Sequence, residues 1–360
     1  MNKKISGTAA SLAWGWSTIL AVFLQANLSG AQPPASLEKS NPLGYQTLSA
    51  VDYIRYVPTK EKLTGRFVPA YSGTSAFWLE GVLRHLAVFH PGVDWMSQEL
   101  FSTSPGVLQV MLEGSAVVGI SSWPMTYAQR EDFGRRFGYP VLEAKVALDA
   151  LQILVHRDNP LNSITVPQLD AIYGTELRAG GLELIRRWEQ LGISTWGADA
   201  PIHPYAGWRG FGTSLFFQEA VLQDGPWRDD VKPLGDVEQS PEYRIAQDPQ
   251  GIACATYRPR GGGVKVLSVA RQTGETAYPP LPRHIYGEEY PLTRFFYVYV
   301  NTPSVDELPA ETWEFLNYLL SYEGQYEVAK TGSLPLDVPM IHRARKRLGL
   351  PIPTPPAAHP

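Results

Sequence analysis

The run Arg66-Phe67-Val68-Pro69-Ala70-Tyr71-Ser72-Gly73-Thr74-Ser75 decides the fold, because a short extended stretch turns at Ser72-Gly73 into an apolar helical pattern. Phe77, Leu79, Val82, Leu83, Leu86, Ala87 and Phe89 cover one face of that helix, and His90-Pro91-Gly92 ends it. Pro69 places the strand near a sheet end or edge. The tripeptide Gly73-Thr74-Ser75 returns as Gly212-Thr213-Ser214, again just ahead of an apolar helix, here carrying Leu215, Phe216, Phe217, Ala220, Val221 and Leu222. A helix start leaves its first N–H groups unpaired and carries partial positive charge. A glycine that admits close approach, followed by hydroxyls, therefore makes an oxyanion cradle. If the two copies sit in different lobes, the ligand lies in the cleft between them.

Similar units follow along the chain. Ser102-Thr103-Ser104-Pro105 caps a second helix bearing Val107, Leu108, Val110, Met111 and Leu112, and Ala116–Ile120 reads as a short buried strand. Val146–His156 is long enough to cross between lobes, and Phe295–Val300 is a candidate return crossing. Ile164–Gly174 reads as a Thr-capped helix with Pro167 in its first turn and Gly174 at its end. A final helix is expected from Glu311 to Lys330, and Gly261-Gly262-Gly263 as a flexible hairpin turn. The fold class is α/β, with mixed sheets flanked by helices and ligand groups at strand ends.

Lys3 and Lys4, the apolar stretch Ala9–Leu24 and Ser29-Gly30-Ala31 give a signal peptide over residues 1–31, with cleavage expected after Ala31. Residues 32–48 then form a flexible leader, and the Pro-rich residues 346–360 a tail without a packing pattern. Without Lys3 and Lys4, 29 of the 31 basic side chains remain against 35 acidic ones. That balance argues against nucleic acid or an acidic membrane surface as partner. Cys254 is the single cysteine, so there is no internal disulfide; its setting, Gly-Ile-Ala-Cys-Ala, suits a buried small hydrophobe rather than a nucleophile. His85 and His90 are five residues apart and do not share a helix face as a metal pair would, and no cofactor is expected.

In collinear order, Ser72-Gly73-Thr74-Ser75, Glu113-Gly114-Ser115-Ala116, Ser122-Trp123-Pro124-Met125, Ala150 to Pro160 and Gln168–Gly174 resemble the phosphate-binding proteins of ABC transporters. So do Ile193–Gly197, Arg209–Thr213, Tyr290–Arg294, Glu323–Gln325 and Gly332–Leu336. The similarity runs from about Phe67 to Leu336. It implies a type II periplasmic-binding-protein fold whose two α/β lobes close on an oxyanion without chemistry. The lobes would be residues 49–148 with 290–345, and residues 149–289. Carried over residue by residue, the ligand-binding set is Gly73, Thr74, Ser75, Ser104, Ser122, Arg209, Gly212, Thr213 and Ser214, with Arg209 as the charged partner. The implied partners are inorganic phosphate or a related oxyanion and an ABC permease, with the binder a monomer, periplasmic or secreted.

Three positions depart from the family pattern. Val117 stands where an acidic residue usually accepts the proton of hydrogen phosphate; Trp123 replaces a polar or basic residue; and Phe211 precedes Gly212, with a shortened spacing from Arg209. Loss of the acceptor relaxes discrimination among oxyanions. Trp123, Trp208 and Phe211 suit an anionic organic ligand or a phosphate ester; equally, they suit packing between lobes around a decayed site. Two other classes stay open: a sensor module that keeps the fold with an altered or lost site, and an exported hydrolase using Ser75 or Ser214 with His203 or His284. Nothing resembles Gly-x-Ser-x-Gly, and a serine at a helix start is more often a cap than a nucleophile.

Overall fold

In the computed structural model, residues 53–58, 62–96, 100–207, 209–210, 212–234 and 240–352 are described; the expected signal peptide, the leader and the chain from 353 onward lie outside them. The strands are β1 (Gly65–Arg66), β2 (Ala70–Ser72), β3 (Val93–Asp94), β4 (Leu100–Ser102), β5 (Val118–Ser121), β6 (Leu142–His156) and β7 (Ser163–Thr165). They continue as β8 (His203–Gly207), β9 (Lys232–Leu234), β10 (Gly251–Thr256), β11 (Val264–Val266), β12 (Ser268–Ala270) and β13 (Thr293–Val300). The helices are α1 (Gly73–Phe89), α2 (Ser104–Glu113), α3 (Tyr127–Phe137), α4 (Val166–Tyr173) and α5 (Gly212–Ala220). They continue as α6 (Pro241–Gln247), α7 (Pro282–Tyr286), α8 (Ala310–Leu319), α9 (Tyr322–Lys330) and α10 (Val338–Arg347).

β6 organises the sheet. From Val146 to Val155 every residue is buried, as expected of a central strand covered on both faces. The sheet order is β4-β2-β5-β13-β6-β10-β8-β9, with β11 also on β6. β13 pairs with the first part of β6, from Leu142 to Ala150, and β10 with its last part, from Leu151 to Val155. The strand thus leaves one half of the sheet and enters the other, and the change of partners falls at Ala150–Leu151. The return passes through Tyr290 and Leu292, where Leu151 N–H donates to Leu292 O at 2.8 Å and Tyr290 Oη to Leu151 O at 2.5 Å.

β4, β2 and β5 are parallel to one another, as are β10, β8 and β9. β2, β4 and β8 each feed a helix at their carboxyl ends, the usual place for ligand groups in such sheets. Trp78, Leu79, Val82, Leu83 and Leu86 bury the inner face of α1. Phe77, expected on that face, is instead 57% exposed and lies under the Arg258 guanidinium at 4.6 Å; Trp78 takes the inward position.

Three further expectations change. The helix expected from Glu311 to Lys330 is broken into α8 and α9, since the Ser321 side chain caps α9 by accepting from Gly324 N–H. Gly261–Gly263 is not a hairpin. β10 and β11 both pair with Leu154 and Val155 of β6 and so occupy its opposite edges, which the glycines connect. The packed body also extends past residue 345: Leu348 and Leu350 are buried, and Arg345 Nε donates to Pro351 O at 2.8 Å.

Candidate functional site

Three helix starts supply the hydroxyl-bearing residues. α1 follows β2 without a linker, placing Gly73, Thr74 and Ser75 in its first turn. In α2 the Thr103 side chain accepts from Gly106 N–H and satisfies the cap, which leaves the Ser104 hydroxyl free to turn toward β5. α5 starts at Gly212, after the loop that leaves β8. None of these helices has an acidic residue in its first turn to neutralise the positive end of its dipole.

The three starts meet at Ser122, just past the carboxyl end of β5. Thr74 Oγ1 lies 3.1 Å from Ser122 Oγ, and Ser104 Oγ lies 3.0 Å from it. Gly212 approaches from the other half of the sheet: a Cβ on it would fall 2.7 Å from Ser104 Oγ and closer still to Ser122 Oγ. Only glycine admits that approach. Ser72 Oγ adds contacts at 3.1 Å to Thr74 Oγ1 and 3.3 Å to Ser75 Oγ.

The turn bearing Ser122 is held from behind. Ser121 Oγ donates to Ser104 O and accepts from Trp123 N–H, while Tyr299 Oη donates to Trp123 O and accepts from Met125 N–H. Burial raises the Tyr299 phenol well above its ordinary pKa, so it stays a donor. Ser75, Ser104, Ser122 and Ser214 are all buried. Such an arrangement can hold an oxyanion by hydroxyls and helix-start N–H groups.

A buried guanidinium stands behind α5, and it is not that of Arg209. Arg294, on β13, donates from Nη1 to Gly212 O at 2.7 Å and from Nη2 to Thr213 Oγ1 at 3.3 Å. Its Nε and Nη2 also bond Asp149 Oδ2 at 2.9 and 2.6 Å. Arg209 lies exposed with its Cζ 3.9 Å from the centroid of the Trp227 ring, a cation–π contact, and partial burial lowers its pKa. Sequence reasoning missed Arg294 and Asp149 as site residues. The available signal was Asp149, the one acid inside the apolar run of β6.

The other expected residues fall as follows. Ser75 Oγ donates to Ser72 O and Ser214 Oγ to Gly207 O, both at 2.8 Å. Both serine hydroxyls thus donate to backbone carbonyls and neither to a histidine; His203 Nδ1 contacts Asp248 at 2.9 Å and His284 Nδ1 contacts Glu289 at 2.6 Å. Val117 is misplaced by the sequence reading. It precedes β5 at the end opposite Ser121-Ser122 and lies beside Arg66, Phe67 and Glu311, so its lack of a carboxylate does not bear on the cradle. Trp208 and Phe211 lie outside the described residues.

A family model for the PBP superfamily domain matches residues 74–323. The phosphate-binding protein PstS of Pseudomonas aeruginosa is 32% identical over 252 residues, 69% of this chain and 76% of that protein. Protein SphX of Synechococcus elongatus is 27% identical over 216 residues, 59% of this chain and 61% of its own. Among solved structures, a possible phosphate-binding protein from Planctomyces limnophilus aligns with TM-score 0.61 at 19% identity, covering 80% of this chain and 98% of that one. A phosphate transport receptor from Vibrio cholerae aligns with TM-score 0.59 at 18% identity, covering 75% and 100%. These structures share the fold: a mixed sheet flanked by helices. The cluster from Thr74 to Arg294 falls inside the matched stretch, and the chain belongs to the PBP superfamily, as a relative of its phosphate-binding proteins.

Proposed function

We propose that this protein is an exported solute receptor that captures inorganic phosphate, or a closely related oxyanion, between two lobes and delivers it to an ABC permease. The observation that carries the reading is the convergence of three helix starts on Ser122, with Gly212 brought against Ser104 and Ser122 from the opposite half of the sheet. The similarity to a protein named as phosphate-binding, over most of both chains, supports the choice of anion.

On this reading the lobes are residues 49–148 with 290 to about Leu350, and residues 149–289, and the hinge falls where β6 changes partners. Thr74, Ser104 and Ser122 donate hydroxyls; Gly73, Ser75, Gly212, Thr213 and Ser214 contribute the helix-start backbone. Arg209, at the loop ahead of α5, adds long-range attraction at the mouth rather than a direct ion pair. Hydrogen bonds to a charged group are worth about 1.5–3 kcal/mol each net. A handful of them offsets the cost of association and reaches a Kd of about 1 μM or below. The protein binds without covalent chemistry, acts as a monomer, and reaches the periplasm by its cleaved signal peptide.

Isothermal titration of the chain from Gln32 onward tests this. One phosphate per chain is expected, with sulfate, phosphonates and phosphate esters weaker. Absence of heat with all four anions in a folded sample refutes it.

A further inference from the structure

We propose that Arg294 is a positioning residue of the anion site: with Asp149 it sets the orientation of the first peptide of α5 and so aims the donors of the second lobe. The inference rests on the anion-binding reading above. Arg294 and Asp149 are cross-strand partners one pair from the end of the β13–β6 pairing, two residues before Leu151 begins pairing with β10. Both are buried, at 4% and 3% exposure. They therefore stand on the two crossing segments.

The fork of Arg294 is divided between two tasks. Nε and Nη2 hold Asp149 Oδ2, while Nη1 reaches across to Gly212 O at 2.7 Å. In a trans peptide the carbonyl and the following N–H point in opposite directions. Drawing Gly212 O toward β13 thus turns the Thr213 N–H away from the guanidinium, and Nη2 holds the Thr213 hydroxyl on the near side at 3.3 Å. Phe216, with its ring centroid 5.6 Å from Arg294 Cζ, packs on the same guanidinium one turn later.

Asp149 is itself tied down. Its Oδ1 accepts from Ala150 N–H at 2.8 Å and Tyr257 N–H at 3.3 Å. The pair is neutral as a unit, so its effect on an anion is geometric rather than a net attraction. Lysine is a poor replacement, because one ammonium cannot present the planar fork that spans Asp149 and Gly212.

The test compares the wild type with Arg294→Lys and with the double variant Asp149→Asn/Arg294→Gln, which removes both charges and so leaves no unpaired buried ion. Two readouts are taken: inorganic phosphate titration at low and high salt, and hydrogen exchange of the amides at residues 213–215 without anion. Loss of the positioning bonds is expected to weaken phosphate by about 30-fold or more in the double variant, by the same factor at both salts. Exchange at 213–215 should rise while that of α1 stays as in the wild type, and Arg294→Lys should fall between the two. A double variant that folds, exchanges like the wild type at 213–215 and binds phosphate within about threefold overturns the proposal. So does a loss confined to low salt, which would mark a direct electrostatic role. If the wild type binds no phosphate, the functional reading fails, yet the exchange readout still judges Arg294.

Discussion

Replacing Gly212 with Ala puts a methyl group at the point where the two halves of the sheet meet. Its Cβ would sit 2.7 Å from Ser104 Oγ and nearer still to Ser122 Oγ. Ser104 and Ser122 are 0% and 2% exposed and already bonded to each other at 3.0 Å, so neither hydroxyl has free room to turn away. Ordinary contact begins near 3.4 Å, and restoring it moves α5 outward by about 0.7 Å or more. A shift of that size stretches hydrogen bonds of about 2.9 Å beyond useful length. Losing two charge-assisted bonds at about 1.5 kcal/mol each costs about 3 kcal/mol, or 100–200-fold in Kd.

Stability should change less than affinity. Gly212 does not have a left-handed φ, so Ala fits its backbone and gains up to about 1 kcal/mol from helix propensity, while overpacking against Ser104 and Ser122 costs about 1–3 kcal/mol, so Tm should hold or fall slightly. Phosphate titration beside a thermal melt separates the two effects. A Gly212→Ala protein that binds within about threefold of the wild type refutes the view that α5 closes directly on Ser104 and Ser122.

Other expectations follow from single contacts. Ser122→Ala removes the hydroxyl shared by Thr74 and Ser104, and titration should show a phosphate affinity lower by about 10–100-fold with little change in Tm. Tyr56→Phe takes away the hydroxyl that donates to Glu314 Oε2 and contacts His90 Nε2, both at 2.7 Å in a buried cluster; urea unfolding should show a loss of about 1–3 kcal/mol. Burial raises the Cys254 thiol well above its ordinary range, so iodoacetamide should label it only after unfolding, as mass spectrometry would reveal. Asp230 has its pKa lowered, chiefly by its hydrogen bond to Arg228, so its contribution is present above the ordinary aspartate value of 3.8 and is lost as pH falls below that. Acid unfolding of Asp230→Asn should accordingly show a shallower slope in that window.

Much of this site was legible because its signals are local. Ser72-Gly73-Thr74-Ser75 and Thr103-Ser104-Pro105 carry a strand end, a cap and a helix start within a few residues, and local sequence alone dictates such turns. β6 was legible for a similar reason: its continuous apolar run, ended by Arg157-Asp158-Asn159-Pro160, fits a strand buried on both faces. Arg294 was not, since it acts on residues 145 and 82 positions away and looks in sequence like the polar start of an aromatic strand. Arg209 has the right neighbourhood in sequence, but nothing local announces that the ring of Trp227 will hold its guanidinium. Val117 shows the remaining gap. Sequence order put it inside an Ala116–Ile120 strand, whereas it lies just ahead of β5, and only the structure reveals which end of that strand faces the ligand.

The central claim is that the anion sits where the three helix starts converge. Arsenate, a close analogue of phosphate whose arsenic scatters anomalously, locates it directly in crystals of the chain from Gln32 onward. A single arsenic peak is expected within hydrogen-bond reach of the Thr74, Ser104 and Ser122 hydroxyls and of the first turn of α5. A peak elsewhere, or none at saturating arsenate in a closed molecule, contradicts the account.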